Sequence, residues 1–208
     1  MTVDEAIRHR RSIRYYLPER VPVSHIREIL ALANLAPSCG NRQSWRFIVL
    51  TNADLLHKLA ELVERRIDEM AEWPEFEHDP LRIRALKNKA LHFSSAPVAI
   101  FLVNVGYRSP LSAVLADHGM EAWQSDRLFA YPDLQSISGA AAYLSLAAES
   151  RGYGTCWMTE PLLARKDLQA SLGIQPKEDL IAIMTMGKPA EFPPPRPRRA
   201  IDEMIEWR

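Results

Sequence analysis

Two arginines and a serine near the amino terminus have a spacing suited to binding an anion. They lie in the run Arg10-Arg11-Ser12-Ile13-Arg14. If this run is extended, side chains alternate between two faces, which places Arg10, Ser12 and Arg14 together and turns the other two residues away. The planar donors of a guanidinium group match phosphate oxygens. The segment is therefore a candidate phosphate cradle, and a solvated run of charge is the alternative that stays open.

A second candidate is a polar loop placed directly before an apolar run. Residues 36–50 read APSCGNRQSWRFIVL, with Asn41 and Gln43 in the polar half. A buried strand supplies rigidity, and the loop before it supplies hydrogen-bond donors and acceptors, which is the arrangement that ligand sites use. The stretch therefore predicts a ligand-binding loop followed by a strand at Trp45–Leu50.

The remaining reactive residues form no recognisable motif. Cys39 and Cys156 have neither CxxC nor zinc-site spacing, so a reduced, cytoplasmic chain is expected. Asp117, His118 and Glu121 could in principle meet a metal ion, but such clusters are mostly solvated and no metal site is predicted. Cys39 is interpreted as a small buried hydrophobe, with a redox role as the alternative.

Composition limits the classes of partner. The 208 residues are enough for one domain, predicted over 1–208. Twenty-six basic residues balance twenty-six acidic ones, so no nucleic-acid or acidic membrane partner is expected. The apolar run at 96–103 is too short to span a bilayer, and the acidic residues at 4 and 5 argue against a signal peptide. Neither GxGxxG nor a Walker loop is present, which argues against Rossmann and P-loop sites.

Hydrophobic periodicity and capping signals predict a chain in which helices and strands are mixed. Helices are predicted from Thr2, between Pro22 and Pro37, from Asn52 to Trp73, and over 81–93, 134–151 and 164–172. Strands are predicted at 45–50, 97–105, 155–158 and 180–186. The 134–151 helix is apolar nearly all round, so it is expected to be buried in the core or in a subunit interface.

Two segments do not fit a regular pattern. Residues 106–133 carry scattered aromatic side chains and weak helical patterning at 111–116, as in a variable insertion that covers a pocket. Residues 189–208 begin with a proline-rich stretch and end with the apolar residues Ile201, Met204, Ile205 and Trp207. Proline makes such a segment stiff and extended. An arm that embraces another subunit is one interpretation, and packing on its own domain is the other.

Taken together, four stretches resemble the nitroreductase family of FMN-dependent oxidoreductases. They are the Arg10–Arg14 run, residues 36–45, residues 139–157 (GAAAYLSLAAESRGYGTCW), and residues 186–189 with the arginine-rich tail at 196–199. The resemblance implies an α+β fold with a central, mostly antiparallel sheet flanked by helices. It also implies a homodimer that exchanges the arm at 189–208 and binds FMN at the subunit interface.

The resemblance also implies roles for individual residues. Arg10 and Ser12 would bind the FMN phosphate and ribityl chain, Arg196 and Arg198 would complete the clamp, and Arg14 would lie toward the pyrimidine edge. The partner subunit would contribute the loop residues Pro37, Ser38, Cys39, Asn41 and Gln43. Trp157, Met158, Thr159 and Glu160 would pass near the central ring, with a backbone N–H toward N5. Arg11 and Asn88 complete the candidate set. Where the family commonly has proline before the loop tryptophan, this chain has Ser44.

The implied function is an FMN-dependent oxidoreductase that uses NAD(P)H to reduce nitroaromatics, quinones or related acceptors by ping-pong hydride transfer. The flavin carries the chemistry, so no catalytic side chain is assigned. Relatives of the same fold perform dehydrogenation, dehalogenation or flavin fragmentation, and these reactions remain alternatives. An FMN-binding carrier or sensor without turnover is a third possibility.

Overall fold

A four-stranded antiparallel sheet forms the centre of the computed structural model, which describes residues 1–106 and 109–208. The strands are β1 (Trp45–Leu50), β2 (Val98–Asn104), β3 (Gly154–Met158) and β4 (Asp179–Gly187). They lie in the order β1-β2-β4-β3, with Trp45 opposite Asn104 and Val98 opposite Met186. The predicted α+β class and antiparallel sheet are confirmed.

Helices cover both faces of this sheet. They are α1 (Val3–His9), α2 (Val23–Ala33), α3 (Ala53–Ala71), α4 (Pro80–Leu91), α5 (Pro110–Asp117), α6 (Ala122–Leu128), α7 (Pro132–Glu149) and α8 (Arg165–Ser171). Short 3₁₀ turns lie at Cys39–Asn41, His92–Ser95, Glu160–Ala164 and Ile201–Glu203. The predicted capping box is present, because Thr2 Oγ1 accepts from Glu5 N while the Glu5 carboxylate accepts from Thr2 N.

Each face of the sheet has its own apolar core. On one face α2 and α7 pack against inward side chains such as Ile100 and Met184. On the other face α3 packs with Phe93, Phe101 and Ile183. The sheet is therefore covered on both sides, as the nearly continuous apolar sequence of β2 indicates.

The helix α7 is less buried than its composition suggests. Ala140, Ala141 and Leu144 lie in the core. A stripe that includes Gln135, Ala142 and Tyr143 faces outward, and 43% of the surface of Tyr143 is exposed to solvent. One side of the helix packs against the core through its alanines. The opposite side is exposed to solvent in the single chain.

The two ends of the chain meet at the β3–β4 edge. Ile13 N donates to Thr155 O at 2.9 Å, and Leu17 N donates to Lys188 O at 2.9 Å. Gly154 is needed at this point, because a Cβ there would lie 2.5 Å from Ile13 Cγ1. This backbone pairing holds the arginine-rich segment and the beginning of the carboxyl-terminal arm side by side.

The insertion and the arm differ in part from expectation. The weak pattern at 111–116 corresponds to α5, whereas α6 was not predicted, and residues 107–108 of the insertion lie outside the described part of the chain. Ile201 and Trp207 in the arm are 67% and 87% exposed, so in the single chain the apolar end does not pack on its own domain. Within the described ranges no helix is long and apolar enough to span a membrane, and no set of three or more possible metal ligands occurs.

Candidate functional site

A groove of about 400 Å³ lies between the Arg10–Arg14 segment and the arm. Its lining brings together six predicted site residues from two segments almost 190 positions apart in sequence: Arg10, Arg11, Ser12, Arg14, Arg196 and Arg198. Arg8 also lines it, so six arginines surround one cavity, which we call the arginine groove. Prolines 193–195 form part of its wall.

The segment is extended, as its alternation requires. Ile13 is buried beneath β3, while Ser12 and Arg14 on either side of it are exposed. Tyr16 secures the far end, since its hydroxyl lies 2.6 Å from both Ile13 O and Thr185 Oγ1. Burial raises the pKa of Tyr16 well above its ordinary value, so the hydroxyl stays protonated and available as a donor.

Arg11 has a different role from its neighbours. Its Nη1 donates to the carbonyls of Arg8, His9 and Arg10 at 2.7, 3.0 and 2.9 Å. These carbonyls end α1, where a cation is favourable. Its Nε is buried and has no hydrogen-bond partner. Arg11 therefore closes the helix while one donor remains unsatisfied at the groove.

The charge of the groove is not balanced by carboxylates. Across the described residues, none of the six arginines forms a salt bridge with Asp or Glu. Glu149 at the end of α7 lies near the groove: burial raises its pKa, and the positive charges of His9, Arg10 and Arg11 act against this effect. Several guanidinium groups without a carboxylate partner make a site for a phosphate group.

A second cluster surrounds Arg14. Burial lowers the pKa of His92, and the positive charge of Arg14 lowers it further. Burial raises the pKa of Cys156, with Arg14 acting against this effect and Glu160 reinforcing it. Arg14, His92, Cys156 and Glu160 therefore share one region at the edge of β3.

His92 is the residue that sequence reasoning missed. Both of its ring nitrogens are buried and neither has a partner with good hydrogen-bond geometry, although the backbone of Asn88 and Lys89 lies close enough to oppose the lowering of its pKa. In the described chain, these two atoms and Arg11 Nε are the buried side-chain nitrogens and oxygens without a partner. The available signal was its position four residues after Asn88, which places both on one face of the same helical segment. Asn88 itself is exposed.

The candidates at the end of β3 and in the turn that follows it differ in exposure. The Trp157 side chain is 41% exposed, whereas Met158 is buried in the core. Thr159 N lies 3.4 Å from Glu160 Oε2, which partly occupies this backbone donor. Met158 can therefore present only its backbone to a ligand, while the other three can present side chains.

The polar loop has an unusual backbone. Gly40, Asn41 and Gln43 all have positive φ, at 57°, 52° and 50°. Two hydrogen bonds support this shape, from Gln43 N to Ser38 Oγ at 3.0 Å and from Gln43 Nε2 to Asn41 Oδ1 at 3.3 Å. Ser44 is buried at the position where the resemblance leads one to expect proline.

Pro37, Ser38 and Cys39 line a separate cavity of about 660 Å³ with residues of the insertion. Its other walls include Leu111, Ser112, Phe129 and Gln135. We call it the insertion cavity. Cys39 is exposed, so the expectation that it is a buried hydrophobe was wrong. The loop lies outside the apolar core, so the Cys39 thiol is exposed to solvent.

The loop and the arginine groove lie toward opposite ends of α7. Cys39 N donates to Ser136 Oγ at 3.1 Å, near the start of the helix. Glu149, the last residue of the helix, is close enough to Arg10 and Arg11 for their charges to lower its pKa. Thirteen residues of α-helix separate these points by about 20 Å, at 1.5 Å per residue. A single chain therefore separates the two predicted halves of the site.

Comparison with known proteins identifies the family of the chain. The profile of the Nitroreductase family matches residues 7–188. Iodotyrosine deiodinase 1 of Mus musculus is 26% identical over 97% of this chain, which spans about two thirds (67%) of that relative. The Bacillus subtilis (strain 168) protein named "Putative NAD(P)H nitroreductase YfhC" is 26% identical over 95% of this chain and 89% of its own. A BluB-like flavoprotein from Clostridium difficile 630 has the same fold, with a TM-score of 0.89, 24% identity, and 100% and 99% of the two chains covered.

The unsatisfied ring of His92 leads to a test of this region. Because burial and Arg14 lower its pKa, its NMR titration midpoint should lie below the ordinary histidine value of about 6.5. The unfolded chain then binds the proton more readily, so the free energy of unfolding should fall as pH decreases below about 6.5. His92→Gln should remove this contribution, whereas the control His57→Gln, at an exposed position of α3, should not. A midpoint at or above 6.5 would contradict the prediction.

Proposed function

Because this chain belongs to the Nitroreductase family, we propose that it is an FMN-dependent oxidoreductase that uses NAD(P)H to reduce nitroaromatic, quinone or related acceptors. The observation that carries the proposal is the arginine groove. Six arginines with no carboxylate partner among the described residues surround a cavity of about 400 Å³. A phosphate dianion at this point would pair with charges that otherwise repel one another.

The residues present fit the cofactor at both ends. Arg10, Ser12, Arg196 and Arg198 would hold the phosphate, and the buried Nε of Arg11 supplies a further donor. Arg14 is close enough to His92 for its charge to lower the pKa of that ring, and both would face the pyrimidine side of the flavin. FMN, when bound, would accept electrons from NAD(P)H and pass them to the acceptor.

The residues of this chain would set the properties of the site. Arg14 would favour negative charge at the pyrimidine edge through its fixed position. His92, kept neutral by burial, could donate one hydrogen bond without adding a second cation. The exposed indole of Trp157 lies on the same strand. Together these groups would bind and orient the ring.

The proposed active form is a homodimer in which each site takes the arginine groove from one subunit and the polar loop from the other. About 20 Å of helix separates these halves in one chain. Val3, Leu35 and Tyr143 are exposed apolar residues that line one surface depression, and the exposed Ile7 lines the arginine groove, so a partner would cover them. In the described chain β1 pairs on one side only, which leaves an edge for the partner's arm.

A second candidate function is reductive dehalogenation of an aromatic acceptor. The similarity to a protein named iodotyrosine deiodinase favours it. The insertion cavity, which joins the apolar Leu111 and Phe129 to the polar Ser112 and Gln135, offers a place for an aromatic ring that carries polar groups. Both candidates use the same cofactor site, so an acceptor panel separates them.

The function is tested by reduction under anaerobic conditions. NADH or NADPH should bleach the flavin absorption band, and one of them should then be consumed with a nitroaromatic, quinone or halogenated aromatic acceptor. The acceptor that supports turnover distinguishes reduction of nitro groups from dehalogenation. If neither nicotinamide bleaches the band or is consumed with any acceptor, the proposal is wrong, and slow reduction by every donor would indicate a carrier.

The phosphate clamp is tested by Arg196→Ala. Losing a charge-assisted hydrogen bond worth about 1.5–3 kcal/mol should weaken FMN binding about tenfold or more. With FMN present the variant should also unfold at a lower temperature, because less binding energy stabilises the native state. Arg199→Ala is the matched control, on the same arm but outside the groove. If Arg196→Ala still binds stoichiometric FMN at unchanged affinity, Arg196 does not contribute to the phosphate clamp.

Sharing of the site is tested by complementation. One variant carries Arg10→Ala with Arg196→Ala, and the other carries Asn41→Ala with Gln43→Ala. If sites are shared, a mixed dimer contains one intact site and one doubly damaged site, so random exchange restores about a quarter of wild-type sites in a two-fold dimer. If each subunit builds its own site, mixing restores nothing. Activity and bound FMN after subunit exchange provide the measurement.

A further inference from the structure

One carboxylate joins the two chain segments that form the arginine groove. Oε1 of Glu191 accepts hydrogen bonds from Arg14 N at 2.7 Å and from Tyr15 N at 3.3 Å. We infer that Glu191 is a positioning residue that fixes the direction of the carboxyl-terminal arm and so places Arg196 and Arg198 against the Arg10–Arg14 segment. The inference rests on the proposed function, because FMN is the ligand that these arginines would hold.

Glu191 acts where backbone pairing stops. Leu17 N donates to Lys188 O at 2.9 Å, and Ala190 N donates to Tyr15 O at 3.0 Å. Among the described residues, Ala190 makes the last backbone hydrogen bond between the arm and residues 10–17. The side chain of the next residue then continues the connection, and a charged acceptor makes a stronger bond than a neutral one.

The arm beyond Glu191 is stiff. Prolines 193–195 precede Arg196, and proline-rich chain is extended at about 3.1 Å per residue. Five residues therefore carry the backbone of Arg196 about 15 Å from the anchoring point. Because this segment is stiff, its orientation at Glu191 determines the position of residues farther along the arm. A small rotation at Glu191 would therefore displace both groove arginines.

The bonding of Glu191 also keeps the arginines available. Its carboxylate contacts backbone N–H groups, and none of the groove guanidinium groups forms a salt bridge with it. An acidic side chain that paired with Arg14 or Arg196 directly would compete with a phosphate group. Through backbone contacts, Glu191 orders the segments without neutralising the donors.

The experiment compares Glu191→Ala, Glu191→Gln and the control Glu61→Ala, an exposed position on α3. Glu191→Ala should weaken FMN binding about tenfold, the loss of one charge-assisted hydrogen bond. Glu191→Gln keeps an oxygen that accepts from both N–H groups, so its affinity should return to within about threefold of wild type. A loss caused by general destabilisation would not be rescued by glutamine.

A double-mutant cycle tests whether Glu191 acts through the arm. In an Arg196→Ala background, Glu191→Ala should cost clearly less than it does alone, because the arginine it positions is absent. Full additivity of the two losses would overturn the inference. Equal affinity of wild type and Glu191→Ala would also overturn it.

Two measurements without FMN separate this inference from the proposed function. In Glu191→Ala the amides of Arg14 and Tyr15 should exchange hydrogen faster, and trypsin should cleave after Arg198 faster than in wild type. If neither changes, Glu191 does not position the arm, whether or not FMN binds. If both change while the wild-type protein binds no FMN, the positioning role stands and the proposed function fails.

Discussion

Mutual repulsion among the six arginines of the groove is the interaction on which the rest of the site depends. Like charges held together in one cavity oppose the compact state. The structure counters this with backbone contacts: Ile13 pairs with Thr155, and Leu17 pairs with Lys188. The guanidinium groups themselves stay unpaired with carboxylates in the described chain, so an entering dianion would relieve the repulsion at once. Binding of such a dianion would therefore stabilise the folded state at this groove.

Much of the fold follows from local patterns in the sequence. Trp45–Leu50 is a nearly continuous apolar run that follows a polar loop, and the strand begins and ends where the pattern predicts. The helix α6 was missed because Ala122–Leu128 lacks a periodic apolar face and depends on a capping interaction between Glu121 and Gln124. The sequence left open whether each side of α7 is buried in the core or in a subunit interface. Alanine and glycine are compatible with burial and with exposure, so only the position of the sheet decides which side is covered.

The candidate site was predictable where adjacent residues carry the signal and unpredictable where tertiary contacts do. The alternation of Ser12 and Ile13 indicates which side chains face outward. The convergence of Arg196 with Arg10 came from family resemblance, since no spacing rule connects positions so far apart. His92 and the exposure of Cys39 depend on neighbours from other elements. The positive φ of Gln43 was not foreseen, because glutamine rarely adopts that backbone and local hydrogen bonds support it here.

The 18 residues of α7 also act as a rotational constraint. Each residue inserted into or deleted from an α-helix turns everything beyond it by about 100° and shifts it by about 1.5 Å. A change of one residue between Ser136 and Glu149 would turn the outward stripe into the core and move the loop out of phase with the arginine groove. Only insertions or deletions of about a whole number of helical turns would preserve the relative orientation of the two ends. The length of this helix is therefore constrained more tightly by the rotation between its two ends than by the distance between them.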